Sequence, residues 1–218
     1  IIFDVINFNN LEIIKIILNN GCDANIRDIN GDTPLSVLID EGVKIKRPRE
    51  RELFIERLIF LLKFRVDVNS VDIQGKTVFH KAIIANDLEV VEKLLTKKAD
   101  LNIKDKQGRT ALHHTQWKGN YKIARLLIAA GANMDEPDYA GFTILNYAAI
   151  LGHVNLVVVL IASGVLMYNK NKKSQAGKKF FRQREVNLDK LLQGNITEAK
   201  MRDSIKQVVT NLKKEINE

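Results

Sequence analysis

The strongest constraint on this chain is a pattern that returns every 33 residues. Residues 105–137 read DKQGRTALHHTQWKGNYKIARLLIAAGANMDEP, and the same signs stand one period upstream in 72–104 and one period downstream in 138–170. A unit of this size is one supersecondary element that buries its apolar face only against its neighbours, so a solenoid is expected.

The phases of the unit follow from its residues. Asp-x-x-Gly-x-Thr is turn chemistry: Gly75, Gly108 and Gly141 permit positive φ, and Asp72, Asp105 and Asp138 can accept nearby backbone N–H bonds. Thr77, Thr110 and Thr143 then cap a helix of under three turns that stops near Asn86, Gly119 or Gly152. A second, more apolar helix follows, with Val90, Val91, Leu94 and Leu95, or Ile123, Ala124, Leu127 and Ile128, on one face.

With these phases in register, the chain resembles an ankyrin-repeat protein. The carriers are Gly-x-Thr-Ala-Leu-His in 108–113, Gly-Ala-Asn in 131–133, Asp-Leu-Glu-Val-Val-Glu in 87–92 and Ala-Asp-Leu-Asn in 99–102. The resemblance implies an all-α α-solenoid of about five units joined by hairpin-like turns. It covers residues 1–168, as a partial unit 1–27, a unit 28–71 with an 11-residue insertion, and units 72–104, 105–137 and 138–170. Because Ile1 falls inside a first helix, a longer natural protein is expected.

The insertion lies around residues 40–53, where Arg-Pro-Arg at 47–49 breaks a continuous helix. It falls between the unit's two helices, where a longer helix or an exposed loop on one rim is predicted, read either as a solvated insertion or as a basic contact patch. Arg65 and Lys98 stand where Gly131 and Gly164 end their second helices, which predicts left-handed strain of roughly 1 kcal/mol at each.

Past Gly164 the pattern decays, since Leu166 and Tyr168 replace the turn residues. Residues 169–185 read as a basic linker, with Lys170, Lys172, Lys173, Lys178, Lys179, Arg182 and Arg184 and no acid before Glu185. Residues 186–218 read as a C-terminal amphipathic helical segment opened by a capping box at 195–198, with Met201, Ile205, Val208, Val209, Leu212 and Ile216 on one face. Leu156, Val157, Leu160 and Ile161 are expected to be left uncovered at the array's end, so 196–216 is expected to cover them or to self-associate.

No catalytic, cofactor or metal site is expected. His80 and His113 fall in the slot that the family uses to tie adjacent turns, His153 sits at a helix turn, and His114 points away from His113. No thiolate pair, phosphate loop or nucleophile elbow occurs, and the single Cys22 reads as small core filler in a reducing compartment.

The resemblance places partner binding on a concave face made by turn tips and the ends of first helices. That face passes from Asp32, Asp40 and Glu41 through Lys106, Arg109, Trp117 and Lys118 to Tyr139, Phe142, Ile150 and Leu151. Exposed aromatic rings beside arginine are the material of binding hot spots. The expected function is non-enzymatic protein–protein interaction, as a scaffold or a host-directed effector fragment, with another protein as partner and no small-molecule substrate.

The alternative is a binder of nucleic acid or membrane phosphate, or a nuclear-import signal, through 169–184, with Lys172, Lys173, Lys178, Lys179, Arg182 and Arg184 as candidate anion contacts. The net charge of +8 sits mostly in the tail. Residues 169–218 hold 13 Lys and Arg against 6 Asp and Glu, so the array is not itself a polyanion surface. An intracellular location, cytoplasmic or nuclear, is expected. Abundant Asn, Ile and Lys fit an AT-rich genome, such as that of an intracellular bacterium or a virus, and from an intracellular bacterium the protein would be expected to be delivered into a host cell.

Overall fold

A computed structural model describes residues 2–7 and 10–171. The chain divides into two compact units, Ile1–His114 and Thr115–Glu218. The expected segment 186–218, with its self-association face at 196–216, lies outside the described residues, as do the cations from Lys172 to Arg184.

The α-helices of the first unit's described residues are α1 (Ile2–Asn7), α2 (Leu11–Asn19), α3 (Pro34–Gly42), α4 (Pro48–Leu61), α5 (Val78–Ile84) and α6 (Leu88–Leu94). Each start has a local cause. Asn10 Oδ1 accepts from the N–H groups of Glu12 and Ile13, Thr33 Oγ1 from Ser36 N–H, and Asp87 Oδ1 from Val90 N–H, which satisfies donors with no partner inside the helix. The chain at 43–47 leaves the helix and Pro48 re-enters at the first turn of α4, where a missing N–H costs nothing. The insertion is therefore largely a longer second helix of 14 residues.

Packing follows sequence order, α1 on α3, α3 on α4 and α5, and α5 on α6. The core consists of Leu35, Leu38, Ile39, Phe54, Leu58, Leu61, Phe79, Val90, Val91 and Leu94. Each such side chain contributes roughly 1.5–3 kcal/mol when removed from water.

The left-handed strain expected at Arg65 and Lys98 is not found. Asn86, at φ 64°, is the only described non-glycine residue with positive φ. Where glycine is present, Gly21 (φ 86°) and Gly131 (φ 99°) turn left-handed, and the next N–H reaches back to Ile17 O or Leu127 O. Without glycine the helix tightens instead: Lys63 and Phe64 bond the carbonyls of Phe60 and Leu61, and Lys97 bonds that of Leu94. This right-handed exit avoids the Cβ clash altogether.

The second unit contains α7 (Tyr121–Ala129), α8 (Ile144–Ile150) and α9 (Val154–Asn171). A 3₁₀ helix over Ala111–Lys118 runs across the division between the units. Its sequence, ALHHTQWK, is rich in residues that lose rotamer freedom or compete with the backbone in an α-helix, which weakens the case for α geometry there. Asn120 caps α7 and Thr143 caps α8.

One sequence expectation is corrected here. Helix α9 runs through Gly164 to Asn171; the residues beyond that glycine lack turn chemistry, so the roughly 1 kcal/mol helix penalty of glycine is not enough to stop it. Leu156, Val157, Leu160 and Ile161 are buried, on a helix that packs on α7 and α8.

Candidate partner-binding surface

The surface is built on the turns. In the turn at 138–142, Asp138 N–H bonds Phe142 O, Asp138 Oδ1 accepts from Ala140 and Phe142 N–H, and Gly141 N–H bonds Asp138 O. Gly141 takes φ 83° to close it. The second carboxylate oxygen, Asp138 Oδ2, accepts from Tyr147 Oη at 2.6 Å, and the Phe142 ring rests on that of Tyr147 with centroids 5.4 Å apart. The tip is thus held by bonds on both sides, which lowers the entropy lost when a partner docks.

On this frame stand the apolar residues singled out from the sequence. Tyr139 is 72% exposed, Ile150 63%, Trp117 58%, Leu151 49% and Phe142 40%. Lys118 is exposed beside Trp117. Trp117 and Ile150 occupy equivalent places 33 residues apart at the ends of first helices, as do Lys118 and Leu151. Packing as the reason for a large ring at 117 is disfavoured, since a core tryptophan does not leave more than half its surface in water.

Lys106 and Arg109 belong to the first unit, in the turn at 105–109. Lys106 is exposed and Arg109 half-buried. That turn is tied to its predecessor: Lys106 N–H bonds Gln74 O, as Ile73 N–H bonds Asn30 O one turn earlier. His80 adds a second tie. Its Nδ1 accepts from Thr77 N–H, which leaves Nε2–H to donate to Arg109 O at 3.2 Å.

At the acidic end of the expected face, Asp32 and Asp40 share one cation. Lys81, largely buried, places Nζ 2.6 Å from both Asp32 Oδ1 and Asp40 Oδ2 and 3.5 Å from Asp72 Oδ2. Burial opposes its charge, but the bonds to Asp32 and Asp40 outweigh it and hold its pKa above the ordinary lysine value. The inserted cations are likewise partly spent, since Arg51 grips Asp87 with both terminal nitrogens at 2.6 and 2.7 Å and reaches Glu89. Lys46 and Arg49 remain exposed.

One register position missed in the sequence links these details. Nine residues after each turn aspartate stands a side chain that meets its second oxygen: Lys81 near Asp72, His114 on Asp105 at 2.9 Å, and Tyr147 on Asp138. The signal was available, because all three can donate a hydrogen bond and share one phase of the repeat. His114 is deeply buried, and burial, then the nearby His80, push its pKa down to about 4 despite the attraction of Asp105. Burial raises the Asp105 carboxyl, yet bonds from Arg109 N–H, His114 and Gln107 N–H outweigh it and leave it below the usual range. The pair is a neutral imidazole donating to a carboxylate.

No group of three or more His, Cys, Asp or Glu side chains able to hold a metal occurs among the described residues. No described helix is long and apolar enough to cross a membrane. A family model of ankyrin repeats matches the chain three times, over residues 2–105, 51–138 and 79–174. No curated protein is significantly similar to it. Ankyrin repeats are generally protein–protein interaction modules and typically not enzymes. The repeated turns, the helix pairs, the histidine tie and the family match agree: this chain belongs to the ankyrin-repeat family.

Proposed function

We propose that the chain is a non-enzymatic module that binds a protein partner through the exposed face of its second unit, with Trp117, Tyr139, Phe142, Ile150 and Leu151 as apolar anchors and Lys118 beside them. What supports this is the exposure of five large apolar side chains on a braced turn and two helix ends. Large apolar side chains left in water are the material of interaction sites, and aromatic anchors carry most of the energy of such contacts. Lys106 and Arg109, in the turn at 105–109 of the first unit, would by themselves steer an acidic partner more than hold it.

The test is capture of partners by the parent and by Trp117→Ala and Tyr139→Ala, with melting measured on the same samples. Each variant should stay folded and lose captured protein, at a cost of about 2 kcal/mol or more in affinity once a partner is in hand. Unchanged capture by both variants would refute the placement.

The excess of cations in 169–184 favours a second, weaker reading. There the tail engages phosphates of a nucleic acid or a membrane without sequence preference.

A further inference from the structure

Arg57, in α4, is 4% exposed. Its Nε donates to Leu53 O and its Nη1 to Ile6 O, both at 3.2 Å. A guanidinium has five N–H donors, so two are used and three find no protein acceptor among the described residues. No carboxylate is paired with it there, and burial alone pulls its pKa below the ordinary arginine value. A buried cation without a counter-charge is costly, and an apolar residue in its place would remove that cost while giving up the bonds to Leu53 O and Ile6 O.

The guanidinium lines a cleft of about 480 Å³ walled by Ile6, Leu38 and Ile45, with Glu41 and Glu50 also on its lining. That is the size of an ordinary ligand pocket. Glu41 is paired with Lys44 and Glu50 with Arg47, at 2.9 and 3.0 Å. Both pairs are exposed, so they hold weakly and their carboxylates are open to exchange for another cation.

We propose that this cleft of the first unit binds a peptide carboxylate, with Arg57 as the anion contact and Ile6, Leu38 and Ile45 as walls for the flanking apolar side chain. A carboxylate matches the planar fork of arginine with two parallel bonds. A phosphate dianion fits worse, because Glu41 and Glu50 line the same space and repel a second negative charge. The two glutamates instead favour a ligand that carries a cation beside its carboxylate. This site is separate from the Trp117 surface, and neither reading depends on the other.

The test uses the full chain, labelled with ¹⁵N, and four probes. They are acetyl-lysyl-alanyl-leucine with a free chain end, the same peptide amidated, an amidated peptide with an internal glutamate before leucine, and inorganic phosphate. The free acid or the internal glutamate should bind at least about tenfold more tightly than the plain amide and shift the Arg57 Nε–H resonance. Which of the two binds tells a chain end from an acidic side chain. Arg57→Met should abolish that preference while melting no lower than the parent, and Arg57→Lys should weaken it. If Arg57→Met does not fold, the acid-against-amide comparison and the Arg57 resonance of the parent decide alone. Affinity of both carboxylate probes no better than that of the plain amide, tighter binding of phosphate, or no binding of either carboxylate probe up to about 10 mM would each overturn the proposal.

Discussion

Lowering the pH from 7 to about 4.5 should destabilise the first unit by about 2 kcal/mol through His114 alone. Its folded pKa is about 4 against an ordinary value near 6.5. The folded state therefore refuses a proton that the unfolded state accepts. The stability tied to the neutral ring is fully present above about pH 6.5 and is lost as pH falls toward the folded value, with a limit of about 3 kcal/mol at 1.36 kcal/mol per pKa unit. In the middle of that window the slope is about 1 kcal/mol per pH unit. His80, whose ring centroid lies 5.3 Å from that of His114, is also pushed down by burial and adds with the same sign. Asp105, held below its usual range, loses its contribution further toward acid. Urea melts across pH 7 to 4.5 measure this directly, and the midpoint should fall by about 1 M for an m-value near 2 kcal/mol/M. His114→Gln keeps a donor for Asp105 and removes the titration, so its midpoint should depend less steeply on pH. A parent midpoint that does not move, or a variant as steep as the parent, would refute the reasoning.

Three further outcomes are expected. At the left-handed position 86, Asn86→Val should lower stability by about 1–2 kcal/mol, Asn86→Gly should match or exceed the parent, and Lys98→Gly should gain nothing; a clear gain at Lys98 in chemical denaturation would contradict the right-handed exit seen there. Gly42→Ala should cost about 1–3 kcal/mol or more, because the added methyl would overlap the fully buried Phe54 ring; an unchanged denaturation midpoint would show that the ring moves freely. Binding of the full chain to duplex DNA, measured by anisotropy, should weaken by about 0.9 log unit per log unit of salt for each phosphate neutralised. That binding should vanish in a fragment of residues 1–171, and a fragment that binds as well as the full chain would remove the tail reading.

Much of the fold was legible because its causes are local. Thr33, Asp87, Asn120 and Thr143 cap the helices they precede, and Asn86, Gly119 and Gly152 adopt the positive φ that their chemistry permits. Exposure at Trp117, Tyr139 and Ile150 was legible for a related reason, since the repeat register fixes which phases face outward. What stayed hidden depends on reach between repeats. Asp32 and Asp40 read as free acidic groups until Lys81, 49 and 41 residues away, bonds to both. Arg51 reads as a free cation of the insertion until it meets Asp87. The end of α9 stays hidden for a local reason: Gly164 suggests a stop, but the turn residues that make one are missing after it, and the helix continues.

The position nine residues after each turn aspartate shows why register and chemistry separate. The register demands a donor there, because the aspartate spends its first oxygen on two backbone N–H groups and leaves the second to be satisfied. Histidine at 114 and tyrosine at 147 meet that demand with hydrogen bonds and lysine at 81 with a charge 3.5 Å away, so the backbone of the repeat accommodates all three. Their titration is not the same. Lysine stays charged and tyrosine neutral across the physiological range, whereas histidine ordinarily titrates within it. The repeat that carries His114 is therefore the one where acid acts first. At the same phase of the unit beginning at Asp28 stands Val37, which donates nothing, and there the second oxygen of Asp28 turns to the nearby Asn30 amide. An acid-induced loss of structure that begins around Asp105 and His114, followed by hydrogen exchange at Gln107 and Arg109, is what this arrangement requires. Simultaneous opening at the turns of Asp28 and Asp72 would mean that the donor's identity does not set the order.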